Sequence, residues 1–440
     1  MSASPRPLAG LKVLDFGHTI MGPCAGVVFA DLGADVVKIE PADGDPTRRL
    51  PGFAAGFFAT YNRNKRSIAV DLKRPEGQAV VHRIVKDADV VLENFGPGTI
   101  ERLKCSWEDL RKVNPRLVYL SLKGFLKGPY ENRGALDEVV QMQSGLAYMT
   151  GPPGRPLRAG APVIDILGGV FGVVAALAAL RERDRTGVGQ KVGSSLFESA
   201  TFMLGAVIVG SAVIGGPMPP MPARKNAWGV YDVFTARDGG QAFIGCTSDR
   251  HWQRFCAAFG FAGWRNDERL ASNAKRCDAR EWMLPELERR LEKLALGEIL
   301  EKCEAARVAY SRVGRPDEIS TDPHLLAHGG LLATAVSALG GGPRVGIPAL
   351  PLEFGDARER LGLERQPPRI GEHTHEILCD AGFSAKEIAE LINAGVLASS
   401  ATLEPAPPAL AHTMATDKRR ATESPVSDKS ASRRRSTKPR

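Results

Sequence analysis

The chain contains no run of about 18 uninterrupted apolar residues, so its composition predicts no membrane-spanning segment. Met1–Gly10 holds two prolines and no apolar h-region, which predicts no secretory signal. The seven cysteines form no CxxC pair, and no histidine cluster accompanies them. Those absences argue against a zinc site or a disulfide framework, and they predict no metal, reduced thiols and a cytoplasmic setting. Aromatic residues make up only 6% of the chain, and none occurs from Ala401 onward. A terminal stretch of Pro, Ser, Thr, Ala and Arg cannot bury enough surface to offset its chain entropy. Residues 401–440 are therefore expected to be a disordered tail.

Apolar residues at 43% and charged residues at 25% are the usage of an ordinary globular protein. A length of 440 residues exceeds one compact core and suggests two or three domains. The net charge is +8, but Thr413–Arg440 alone carries nine Lys/Arg against three Asp/Glu, a net of +6. Only +2 remains for the body, so the basic character belongs to the tail. The body has no zinc-finger, RRM or KH signature, and the reading is against a nucleic-acid partner.

The first 40 residues read as a βαβ unit: strand Leu11–Phe16, helix Gly22–Leu32 closed by Gly33, and strand Asp35–Glu40 stopped by Pro41. Helix Pro75–Asp87 then precedes strand Val90–Leu92, and helix Ser106–Val113 precedes strand Leu117–Leu122. This alternation predicts a parallel, doubly wound α/β sheet. Glu40 stands where a dinucleotide-binding domain would hold a ribose. The turn after the first strand, Phe16–Gly22, is nevertheless not G-x-G-x-x-G, and there is no P-loop, so NAD, FAD and ATP are not expected. Val207–Pro222, rich in Gly, Pro and Met, reads as a linker, and 226–327 reads as a second unit.

Asp165 is the residue whose setting asks most for an explanation. It is the one charged residue in Ala159–Gly169, and desolvating a carboxylate is costly without a partner or a task. Val170–Leu180 beyond it reads as a buried helix, whose positive end would favour an ionised acid. The plain alternative is that Asp165 is a helix N-cap.

Seven segments, in order, carry a resemblance: Pro7–Asp15, Gly22-Pro23, Asp31–Glu40, Asn64–Lys73, Glu93–Gly98, Thr186–Gln190 and Gly371–Thr374. Together they resemble the class III CoA-transferases, the family that also holds formyl-CoA:oxalate CoA-transferase, carnitine CoA-transferases and α-methylacyl-CoA racemase. The resemblance implies a Rossmann-like parallel-sheet large domain (1–206), a linker (207–225), a smaller α+β domain (226–327), a return segment (328–400) and an interlocked homodimer. It implies no permanently bound cofactor, with coenzyme A entering as the acyl-CoA substrate and a carboxylic acid as the second substrate. By resemblance Asp165 is the nucleophile, and His18, Asn94, Phe95, Arg102 and Lys123 line the CoA site.

The chain also departs from branches of that family. The racemase branch carries a proton-transferring His in a Gly-His-Asp segment, whereas this chain reads Gly134-Ala135-Leu136-Asp137. Leu136 cannot move a proton, which leaves an acyl-CoA racemase or related enzyme as the disfavoured alternative. Ile20 replaces the Gln of the oxalate-using branch, and Ala223–Gly229 lacks that branch's glycine run. What remains is transfer of CoA to an unassigned carboxylic acid, with succinyl-CoA and a dicarboxylate as the expectation. Arg224 and Lys225 are then candidates for meeting a distal carboxylate.

Overall fold

A computed structural model describes residues 6–224, 227–336 and 342–399; the tail and Lys225 lie outside the described residues. The central sheet has seven strands in the order β12-β3-β2-β1-β4-β5-β6. They are β1 Lys12–Asp15, β2 Asp35–Glu40, β3 Arg66–Val70, β4 Val90–Glu93, β5 Val118–Lys123, β6 Lys191–Ser195 and β12 Leu397–Ala398. The first six pair in parallel, and β12 closes the β3 edge antiparallel. Strands β2, β3 and β4 are almost wholly buried, as expected of a parallel sheet covered on both faces. Strand order reverses between β1 and β4, which opens a crevice beyond their carboxyl ends.

Helix Val163–Thr186 packs on the helix Met21–Asp31 and on β5 and β6. It begins earlier than the sequence suggests, because Gly168 and Gly169 lie inside it. A Cβ on Gly169 would fall 2.8 Å from the Met21 carbonyl oxygen, and one on Gly172 would fall 2.6 Å from Leu122 Cδ2. These glycines are therefore the surface along which the helix reaches its neighbours, not helix breaks. By length and composition Val163–Thr186 could cross a membrane, as could the bent pair Leu196–Met203 and Gly205–Ile214. Here Ile164, Val173, Ala176, Ala179 and Leu180 of the long helix are instead core residues.

The conspicuous charges of the sequence pair with one another: the Asp15–Lys65 and Lys38–Asp45 pairs are buried, and Arg66, at the amino end of β3, reaches more exposed acids. Lys65 Nζ lies 2.6 Å from Asp15 Oδ2, with both side chains fully buried, and also donates to the Pro23 carbonyl and Asn62 Oδ1. Asp15 accepts from Gly17 N at 2.7 Å. Lys38 pairs with Asp45 and donates to the Gly17 carbonyl. Arg63 pairs with Asp31, and Arg66 binds Asp35, Glu376 and Asp380. Gly26 is required by close approach, since a Cβ there would lie 2.3 Å from Asp15 Oδ2. Gly371 N donates to Ser67 Oγ, tying the returning chain to β3.

A second, antiparallel sheet is formed by β7 Val230–Thr235, β8 Gln241–Cys246 and β9 Ala309–Arg312. It has its own apolar core, which includes Trp252, Phe255, Met283 and Ile299. A two-stranded ribbon joins β10 Leu331–Ala335 to β11 Arg344–Pro348. Part of the expected linker is not extended: Gly205–Ile214 is helical and ends at Gly215 with φ of +72°. Its Ala, Val and Ile residues outweigh Gly205 and Gly210, and the prolines begin only at Pro217, beyond the helix.

Candidate active site

The crevice between β1 and β4 is a cavity of about 190 Å³. Asp165, His18, Thr19, Asn94, Phe95 and Lys123 all line it. Asn94 bridges the two strand ends: its Oδ1 accepts from His18 N at 2.8 Å, and its Nδ2 donates to the His18 carbonyl at 2.9 Å. Both polar atoms of the Asn94 side chain are thus spent on the His18 backbone. Thr19 is held at φ of +63°, a costly conformation for a β-branched residue, beside this clamp. The His18 ring lies 5.3 Å from the Phe95 ring, and its Nδ1 is 3.0 Å from Thr19 Oγ1. Burial holds the His18 pKa below its ordinary value, so at neutral pH the ring is an uncharged wall.

Lys123 lines the cavity but is not a free cation. Its Nζ lies 2.7 Å from Glu93 Oε2 and donates to the Phe95 carbonyl at 2.8 Å. Glu93 also accepts from Phe95 N and Ser121 Oγ, so together these groups fix the loop that carries Asn94 and Phe95. Arg102 does not line the cavity; it is exposed at the end of Thr99–Arg102 and donates to Thr99 Oγ1. Arg224 lies off the cavity as well. Glu40 is closed to a ribose, because Arg48 binds it through two nitrogens, and Ser67 and the Asp45 amide add further bonds.

Asp165 sits in the first turn of Val163–Thr186 rather than at its N-cap, which is Pro162. The capping acid comes from elsewhere. Asp137 Oδ2 accepts from Ile164 N at 3.0 Å and from Asp165 N at 3.1 Å. Gln141 donates to Asp137 Oδ1 and accepts from Ala159 N at 2.8 Å. Asp137 and Gln141 are functional neighbours that the sequence does not flag, because nothing local links a helix start to an acid 28 residues earlier. The favourable helix dipole is therefore answered by Asp137, not by Asp165. Burial, then the Asp137 carboxylate and Glu138, push the Asp165 pKa up to about 7. Among the described residues no side chain hydrogen-bonds the Asp165 carboxylate. An acid half-exposed to a cleft, poorly solvated and unpaired, is arranged to react rather than to cap.

Leu136 also lines the cavity, with Met21, Leu122 and Leu196, so part of the wall around the acid is apolar. The sequence model of CoA-transferase family III matches residues 8–374. The chain belongs to this family. An acyl-CoA transferase from Fusarium pseudograminearum is 33% identical over 412 residues, covering 90% of this chain and 89% of that protein. A succinate–glutarate CoA-transferase from Agrobacterium fabrum is 33% identical over 387 residues, covering 85% of this chain and 95% of its own length. The crystal structure of a CAIB/BAIF family protein from Brucella suis matches with a TM-score of 0.74 at 30% identity, covering 86% of this chain and all of that one. The transferase thus shares its mixed α/β architecture with solved members of its family, and it is a class III CoA-transferase.

Proposed function

We propose that this transferase moves CoA from an acyl-CoA, succinyl-CoA in the first instance, to a small carboxylic or dicarboxylic acid, with Asp165 as the covalent relay. The observation that carries the reading is the unpaired, elevated-pKa Asp165 carboxylate at the strand-order reversal of a family III transferase. An Asp165 oxygen attacks the thioester carbonyl, the C–S bond breaks, and CoA leaves as a thiolate from a mixed anhydride. The thiolate attacks the aspartyl carbonyl and releases the donor acid as its carboxylate. The acceptor carboxylate then attacks the aspartyl-CoA thioester and expels the thiolate again. That thiolate takes the acceptor acyl group and returns Asp165 to its starting form. Splitting one exchange into such steps lowers each barrier, and the apolar walls protect an anhydride from water.

Asn94, Phe95 and His18 are proposed to shape the thioester end of the CoA site, with Asn94 and Lys123 acting through the loop they hold. Arg102 is proposed to meet the nucleotide outside the small cavity. The relative that acts on succinate and glutarate supports a dicarboxylate acceptor. The assay that tests this mixes the purified chain with succinyl-CoA and each of a set of C4–C6 dicarboxylates. Transfer to at least one is expected, and no transfer to any rejects the dicarboxylate reading.

The functional unit is proposed to be an interlocked homodimer of a large and a small domain. The helix Gly205–Ile214 has no buried residue, and Phe202, Val209, Val213 and Ile214 are 72%, 63%, 80% and 58% exposed. An apolar patch of that kind calls for a cover, and a second copy supplies one. Light scattering is expected to give twice the chain mass. Val209→Asp with Val213→Asp is expected to shift the protein to monomer or aggregate, and a dimer unchanged by the pair would remove this surface from the interface.

A further inference from the structure

The cavity that holds Asp165 has two Lys or Arg side chains in its lining, and only one is uncommitted. Lys123 is spent on Glu93 and the Phe95 carbonyl. Arg133 lines the same cavity, and among the described residues no carboxylate pairs with it. Glu131 is also in the lining but forms no ion pair with Arg133. The Arg133 guanidinium carbon lies 4.0 Å from the centroid of the Tyr130 ring. That ring covers one face of the guanidinium and orients its fork of donors.

An exposed, unpaired guanidinium in the lining of the cavity that holds the reacting acid is a receptor for an anion. A planar carboxylate matches it through two parallel hydrogen bonds. The volume of about 190 Å³ is below the usual range for drug-sized ligands, so the cavity suits a short acyl chain rather than a nucleotide. We propose that Arg133 is the specificity-determining residue for dicarboxylic substrates, taking the distal carboxylate while the proximal carbonyl meets Asp165. The proposal rests on the transferase reading and displaces Arg224, which lies off the cavity. Succinyl donor and dicarboxylate acceptor both carry a distal carboxylate, so Arg133 serves both half-reactions. A monocarboxylate leaves the guanidinium unanswered, and this is where discrimination arises.

The test uses Asp165→Asn protein, which holds thioesters without turning them over, with and without Arg133→Gln. Dissociation constants are measured for succinyl-CoA and for butyryl-CoA, which has the same chain length and lacks the distal carboxylate. Arg133→Gln is expected to weaken succinyl-CoA by about 10- to 100-fold, the range for a lost hydrogen bond to a charged group. Butyryl-CoA is expected to change by less than about twofold, which also reports that the variant is folded. Arg133→Lys should recover part of the succinyl-CoA affinity. Equal weakening of both thioesters would assign Arg133 to a CoA phosphate and overturn the proposal; no weakening of either would overturn it too. Failure of the transferase reading shows separately, as absence of transfer by the unmodified chain with any acid.

Discussion

Asp165→Ala is expected to lower kcat for CoA transfer by roughly 10³-fold or more, the scale on which removal of a covalent nucleophile is felt. Thioester binding should persist, because the walls of the cavity come from His18, Phe95 and Leu136. Hydroxylamine added during turnover should convert Asp165 to its hydroxamate in the unmodified protein, seen by peptide mass spectrometry, and leave the alanine variant unlabelled. Full turnover by the variant, or labelling elsewhere, would sink the mechanism. The pH dependence follows from the same group. Asp165 attacks only when ionised, and its pKa is raised from the ordinary carboxylate range to about 7. Activity (kcat/KM) should therefore be half-maximal near pH 7, approach its full value about one pH unit higher, and tend to a tenfold fall per pH unit below. Asp137→Asn keeps an oxygen for the amides of Ile164 and Asp165 but removes the neighbouring negative charge. Its acidic limb should move to lower pH; an unmoved limb would mean that Asp137 does not set the Asp165 titration.

The largest expected effect on stability lies in the buried pair of Asp15 with Lys65. Lys65→Met removes the ammonium that faces Asp15 at 2.6 Å, where both side chains are fully buried. Asp15 keeps only the Gly17 amide, and the Pro23 carbonyl and Asn62 Oδ1 lose the bonds from Lys65. Breaking a buried pair on one side costs about 3–5 kcal/mol, because a charge is left without an answer. Denaturant unfolding should show a lowered midpoint and an unfolding free energy reduced by about that much. Asp15→Asn combined with Lys65→Met should recover part of the loss, since no lone buried charge then remains. A single variant as stable as the parent would mean the pair contributes little. The first-turn geometry should also loosen, because Asp15 and Lys65 hold Gly17 and Pro23 on either side of His18.

The local pattern carries much of this protein. Alternating short apolar strands and helices are enough to imply a parallel α/β sheet, and strand Asp35–Glu40 has the bounds its periodicity implies. Asp165 is legible because a lone acid among apolar residues is costly wherever it is placed. Its partner is not legible: capping by Asp137 joins residues far apart in the chain, and no periodicity encodes that. The helix reads locally as starting only at Val170, after Gly168 and Gly169, because propensity counts backbone freedom and not a neighbour's carbonyl at 2.8 Å.

The charged residues divide the two levels most clearly. Local sequence identifies Lys123, Arg102, Arg133 and Lys65 as cations, and the family resemblance adds only that Arg102 and Lys123 belong to the CoA site. Only the tertiary structure commits Lys65 and Lys123 to carboxylates, leaves Arg102 outside the cavity, and sets Arg133 in its lining with no carboxylate partner. The physical reason is that secondary structure follows from neighbours along the chain, whereas the availability of a charge depends on which opposite charge the fold brings within about 4 Å of it.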